Sequence, residues 1–148
     1  VTQNIDGLHQ RAGSKRVLEL HGNWSRLTCT GCGEHFTLND VDDARSGSVP
    51  HCPTCASVLR PDIVFYGEML DSDVIEGAVR AITEADLLIV AGTSLVVYPA
   101  AGLIDYYAGE RLVLMNATPT PYDSRADLII REPVGQVFEE LERWSRRP

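Results

Sequence analysis

The chain has 148 residues, 44% hydrophobic and 23% charged, which fits one globular domain, or one with a small insert, and excludes disorder as the main state. Its net charge of −8 argues against nucleic acid or anionic lipid as partners, because both require a basic face. No apolar run reaches the ~18–20 residues of a membrane span; the run from Leu87 to Gly92 is strand-sized, and no signal-peptide pattern leads the chain, so a cytoplasmic location is expected.

Val1 is not a start methionine, and Val1-Thr2-Gln3-Asn4-Ile5-Asp6 reads as though partway through a strand, so a piece of a longer chain is expected. Val17-Leu18-Glu19-Leu20 is a short strand candidate. Four cysteines follow, Cys29, Cys32, Cys52 and Cys55, in two Cys-x-x-Cys pairs separated by nineteen residues. That spacing fits a zinc ribbon, in which two thiolate turns complete a tetrahedron. Gly31, Gly33 and Pro53 suit the two tight turns. An iron site or two disulfides would also use four cysteines. No cysteine is left over for a catalytic thiol, and His35 and His51 are read as surface residues. Between Cys29 and Cys55, Glu34, Asp40, Asp42 and Asp43 face Arg45 alone, which makes a poor phosphate reader. The ribbon is therefore read as a structural lobe, folded by its metal and inserted in a larger fold.

Ile63-Val64-Phe65-Tyr66 is the next extended run, started by Pro61 and stopped by Gly67. Asp71-Ser72-Asp73 opens a helix, whose apolar stripe is Val74, Ile75, Ala78, Val79, Ile82 and Ala85. Leu87-Leu88-Ile89-Val90 has the uninterrupted apolar character of a buried parallel strand and ends in Ala91-Gly92-Thr93-Ser94. Pro99 suits the first turn of a helix that Gly109 would end. Leu112-Val113-Leu114-Met115, ending at Asn116, and Leu128-Ile129-Ile130 are two more strands, and Val134, Val137, Phe138, Leu141 and Trp144 mark a closing amphipathic helix. Alternating strands and helices give an α/β fold with a parallel sheet. Ligands of such sheets bind beyond the carboxyl ends of the strands, here at Gly92-Thr93-Ser94, Asn116 and the loop leading to Val134. Taken alone, Gly-Thr-Ser is equally an ordinary capped turn.

Taken in order, five motifs resemble the sirtuins: Thr2-Gln3-Asn4-Ile5-Asp6-Gly7-Leu8-His9, Leu18-Glu19-Leu20-His21-Gly22, the two Cys-x-x-Cys pairs, Arg60-Pro61-Asp62-Ile63-Val64-Phe65-Tyr66-Gly67-Glu68, and Gly92-Thr93-Ser94-Leu95-Val96-Val97-Tyr98-Pro99. The resemblance implies an NAD-dependent protein-lysine deacylase, acting on an acylated-lysine protein or peptide, with NAD and zinc as cofactors. It implies a Rossmann-like sheet domain over 1–24 and 61–148, incomplete at its N-terminus, and a zinc-ribbon insert over 25–60. His21 resembles the family's catalytic base. Gln3, Asn4, Asp6, Gly92, Thr93, Ser94, Asn116 and Val134 match positions around NAD. Val64, Phe65, Gly67, Glu68, Leu95 and Val97 match the two segments between which the acyl-lysine peptide lies as an added strand. His9 is read as structural, packing the loop after Asp6.

The chemistry so implied releases nicotinamide as the acyl oxygen attacks the ribose, and leaves the acyl group on ADP-ribose. Positioning and electrostatics dominate such a step. A ribose hydroxyl must then lose a proton, which suits histidine. An apolar channel at Val64 and Phe65 would accept a neutral acyl-lysine stem and reject charged lysine, whose desolvation is costly. The alternative is a zinc-stabilised module that binds NAD or peptide without turnover. The family's phosphate-binding loop has no counterpart in these residues, so residues 1–148 alone are expected not to deacylate and to bind NAD poorly. Steady turnover of an acetylated peptide by the bare 148 residues would overturn that expectation.

Overall fold

The computed structural model describes residues 1–41 and 47–147; Asp42, Asp43 and Arg45 of the acidic ribbon lie outside them. The chain forms two units, Val1–Ile75 and Glu76–Pro148.

In the first unit, β1 (Gly22–Cys29), β2 (His35–Thr37) and β3 (Leu59–Ile63) make an antiparallel sheet in the order β2-β1-β3. Leu27 and Cys29 of β1 join Val41, Cys52 and Leu59 in a small core, against which Phe36 and Leu38 pack. At the other end of β1, Gly22 pairs with Ile63 at φ +75°. A Cβ at Gly22 would lie 1.9 Å from the Asp62 carbonyl oxygen, so no other residue fits without moving the backbone.

Two strands differ from the sequence expectation. Val17–Leu20 makes only an isolated parallel bridge, Thr2 with Glu19. Thr2 alone pairs there, and the Gly22 N–H turns back to the Glu19 carbonyl at 3.1 Å, which ends the extension. β3 begins at Leu59 rather than after Pro61 and stops at Ile63. Pro61 fits inside it because the register with β1 is irregular there, and a bulged ladder tolerates a missing N–H. Past Ile63 the partner strand has ended, and Val64 keeps one bond, from its N–H to the His21 carbonyl, at 3.0 Å. His9 is exposed on α1 (Leu8–Arg11) rather than packed, because this single turn buries nothing.

α2 (Ser72–Thr83) begins where expected: the Asp71 carboxylate accepts the N–H groups of Asp73 at 2.8 Å and Val74 at 3.2 Å. Its stripe buries Ala78 and Ile82.

In the second unit, β4 (Leu88–Ala91), β5 (Leu112–Met115) and β6 (Leu128–Ile130) form a parallel sheet in the order β4-β5-β6. β5 is central and buries Leu112, Leu114 and Met115. Among the described residues β4 pairs with β5 alone, and Ile89 is 43% exposed. The helix expected from Pro99 to Gly109 is instead a 3₁₀ helix over Ala100–Tyr106. Its buried residues pair at a spacing of three, Ala100 with Leu103 and Ala101 with Ile104, which is the 3₁₀ repeat. α3 (Val134–Ser145) closes the unit. The fold class is α/β, a Rossmann-like parallel sheet with helices plus a zinc-ribbon-type lobe.

Leu114 is 1% exposed at the centre of the parallel sheet. Leu114→Ala should cost about 2–5 kcal/mol, read as a lowered midpoint in denaturant titration with an unchanged slope. A change within error would show that this sheet is not the unit's core.

Candidate functional site

The four cysteines come from two turns that the antiparallel sheet brings face to face. At the first turn, the Gly31 and Cys32 N–H groups each point at the Cys29 sulfur at 3.4 Å. At the second, Ala56 sits at φ +61° and its N–H bonds the Cys52 carbonyl at 2.8 Å. The four sulfurs lie within 4.8 Å of one another, with Cys29–Cys55 at 3.4 Å and Cys32–Cys52 at 3.7 Å. Sulfurs about 2.3 Å from a tetrahedral zinc are about 3.8 Å apart, so the set fits that ion. A disulfide needs about 2.05 Å, and all four cysteines are free thiols.

Packed this closely, the thiols shift one another's acidity. Hydrogen bonds from Ser57 pull Cys55 down to about 6. At Cys32 the Glu34 N–H favours the thiolate, but Cys29, burial, Cys55 and Cys52 together push it up to about 12. Crowded thiolates repel, and a divalent cation at their centre is what lets all four ionise. His35 and His51 are exposed, as expected, and stand outside the cluster.

The second set of candidates lies along the edge of the same unit. The Thr2 bridge, with Thr2 N–H to Leu18 carbonyl and Leu20 N–H to Thr2 carbonyl both at 2.9 Å, brings Gln3 beside His21. The His21 Nδ1 lies 3.1 Å from the Gln3 carbonyl oxygen. A carbonyl only accepts, so Nδ1 carries the proton and Nε2 is left as the basic nitrogen of the neutral ring. The His21 carbonyl is held by the Val64 N–H. The structure thus brings Gln3, His21 and Val64 together. Asn4 is exposed, its N–H bonded to the Thr2 hydroxyl at 3.1 Å, and Asp6 accepts the Leu8 N–H at 3.0 Å.

Glu68 is turned inward to its own loop. It accepts Arg60 Nη2 on both oxygens at 2.6 Å and the Phe65 N–H at 3.0 Å, and these contacts hold its carboxyl below the usual range. Arg60 also stacks 4.9 Å over the Phe65 ring. Gly67, at φ +87°, lets this loop turn.

In the second unit, Gly92, Asn116 and Val134 stand at the carboxyl ends of the parallel strands. The Gly92 N–H bonds the Met115 carbonyl at 2.9 Å, and the Asn116 N–H bonds the Ile130 carbonyl at 3.0 Å. Gly92 has φ +64°, and a Cβ there would stand 4.0 Å from a Val134 methyl. Thr93 is half-buried and bonds the Leu95 N–H, while Ser94 is exposed. Leu95 is buried at φ +55°, an unusual conformation for a branched side chain and one that concentrates at functional turns. Val97 is exposed.

Arg131 stands beside the Asn116 candidate and has no motif of its own in the sequence. Its guanidinium donates to the Asn116 carbonyl at 3.0 Å and the Thr118 carbonyl at 3.1 Å, and pairs with Asp123. It fixes the loop that Asn116 begins. No spacing rule marks it, since its partners lie 8 to 15 residues earlier.

The Sir2 family model matches residues 1–99. The chain belongs to the Sir2 family. A curated NAD-dependent protein deacetylase of Clostridium acetobutylicum is 53% identical over 141 residues, 95% of this chain and 57% of that protein. A solved Sir2 structure with a p53 peptide and NAD+ superposes with a TM-score of 0.86 at 44% identity, covering 97% of this chain and 61% of that one. A second, of Sir2 with the inhibitor EX-527, 2′-O-acetyl-ADP-ribose and deacetylated p53 peptide, gives 0.84 at 43% identity, covering 97% and 62%. This Sir2 chain therefore spans somewhat over half the length of the relatives it matches. Among its described residues, no helix is long and apolar enough to cross a membrane.

One zinc per chain is expected by elemental analysis. Cys52→Ser should lose it and aggregate, because one of four ligands is removed from the small core as well as from the metal. Iron, or no metal, in the purified protein would rule this out.

Proposed function

We propose that this Sir2 protein is an NAD-dependent protein-lysine deacylase, with His21 as the general base. The observation that carries the reading is the His21–Gln3 contact, which leaves Nε2 as the basic ring nitrogen. The likeness to structures that hold NAD+, a p53 peptide and 2′-O-acetyl-ADP-ribose supports the substrate classes. NAD supplies the ribose carbon that receives the acyl oxygen and the hydroxyl that later captures the acyl group.

The chain's residues bind, orient and move one proton. Gln3, Asn4 and Asp6 would surround the nicotinamide end. Gly92, Thr93, Ser94, Asn116 and Val134 would hold ribose and phosphate, since small residues and hydroxyls at strand ends allow close approach. Val64, Phe65, Gly67, Glu68, Leu95 and Val97 would flank an acyl-lysine peptide added as a strand. In that arrangement Glu68 shapes the loop through Arg60 and Phe65. His21 Nε2 accepts the proton of a ribose hydroxyl, and the Gln3 carbonyl steadies the resulting imidazolium through Nδ1.

Residues 25–60 would be the zinc-ribbon insert and 1–24 with 61–148 the nucleotide-binding domain. The separate core of Leu27, Cys29, Val41, Cys52 and Leu59 supports that division. A cytoplasmic location is part of the same proposal.

In the natural full-length protein, His21→Ala should cut deacylation of an acetyl-lysine peptide by a factor of about 100 or more, with NAD affinity changed only a few fold. Near wild-type turnover would refute His21 as the base. NAD binding without any nicotinamide release in the unmutated protein would favour a non-catalytic module.

A further inference from the structure

We infer that Glu19 is a positioning residue for His21, acting through the turn that carries the imidazole; this rests on the deacylase reading above.

The Glu19 side chain is 7% exposed, unusual for a carboxylate on so small a unit. A buried charge is stable only when its lone pairs are taken. Here they are taken from two sides. Asn23 Nδ2 donates to Oε1 at 2.7 Å, and Arg26 Nη1 donates to Oε2 at 2.9 Å. Burial alone would raise the carboxyl pKa, but these donors outweigh it, and it ends below the usual carboxylate value, which favours the charged form.

The partners enclose the residues that matter for the base. Glu19 and Asn23 are the two ends of a turn with His21 at its middle. Inside that turn the Gly22 N–H bonds the Glu19 carbonyl at 3.1 Å. Asn23 is itself buried, and its Oδ1 accepts the Ser25 N–H at 2.9 Å and the Ser25 hydroxyl at 2.6 Å. The Asn23 amide also stands beside Gly7, 3.2 Å from where a Cβ there would lie, and the Trp24 N–H bonds the Ile5 carbonyl at 3.1 Å. Through Asn23 the carboxylate therefore ties the His21 turn to the start of β1, against which the segment that follows Gln3 and Asn4 is held. The His21–Gln3 contact depends on the relative placement of those same two segments. The Glu19 side-chain hydrogen bonds go to Asn23 and Arg26 and not to the imidazole, so it acts on where the ring stands.

The test is a double-mutant cycle in the natural full-length protein, with the fold checked by zinc content and thermal transition. Glu19→Gln keeps the shape but weakens the ion-assisted bonds. A ring displaced by about 1 Å can lose roughly 100-fold in rate, so kcat for deacylation should fall about 10- to 100-fold, with KM for the peptide changed by less than about 3-fold. In the His21→Ala background the same change should alter the residual rate by less than about 2-fold, because the group it positions is gone. Glu19→Asp, which keeps the charge, should restore part of the loss. Should Glu19→Gln not fold, Arg26→Gln at the exposed partner carries the same cycle with a smaller loss. Equal losses in both backgrounds, or an unchanged kcat, would overturn the proposal. Wild-type turnover by His21→Ala alone would instead sink the base assignment, and this proposal with it.

Discussion

One strand joins the two ends of the first unit's chemistry, and its placement depends on four sulfurs. β1 finishes at Cys29, inside the thiolate cluster, and starts at Gly22, next to His21. The core between them is small: Leu27, Cys29, Val41, Cys52 and Leu59. A unit of this size rarely gains more than about 3–5 kcal/mol from its core alone, whereas structural zinc contributes about 10–16 kcal/mol to small metal-folded peptides. The metal end therefore holds the stretch of β1 from Leu27 to Cys29 against Leu59–Pro61. Between Leu27 and Asn23 the ladder shifts, and beyond the shift Gly22 meets the Asp62 carbonyl and the His21 carbonyl takes the Val64 N–H. No cysteine touches the base; the sulfurs hold one end of the strand at whose other end the His21 turn stands.

The second unit works by a different constraint. Parallel strands end together, so whatever follows β4, β5 and β6 gathers along one edge of their sheet. Gly92 and Asn116 are each tied by a backbone N–H to the neighbouring strand, which makes that edge rigid where small residues are needed. Leu95 holds a left-handed conformation, worth roughly 1–2 kcal/mol against it. It stays there because its side chain is buried and its N–H is taken by Thr93. Arg131 locks the Asn116 loop from the far side through two carbonyls and Asp123.

The sequence by itself determined what is covalently local or periodic. The Cys-x-x-Cys spacing fixed a metal set, Asp71 announced the start of α2, and the apolar run Leu112–Met115 announced a buried strand. The ordered motifs around His21 and Gly92 carried the family. Tertiary structure alone decided which partner each residue meets. Ile63–Tyr66 reads as a strand, yet β3 lies earlier and includes Pro61, because β1 supplies its ladder only from Cys29 back to Gly22. Leu87–Val90 reads as a parallel strand, and which neighbours cover it is a matter of the sheet: among the described residues it pairs with β5 alone. That the Glu68 carboxylate takes Arg60 and the Phe65 N–H as its donors is likewise decided only by the folded loop. Glu19 and Arg131 read as ordinary charged residues, and each is a tie whose meaning lies in donors or acceptors four to fifteen residues away. Periodicity reports which face of an element is apolar. Hydrogen-bond partners depend on how segments distant in sequence are brought together, and that is set only when the chain has folded.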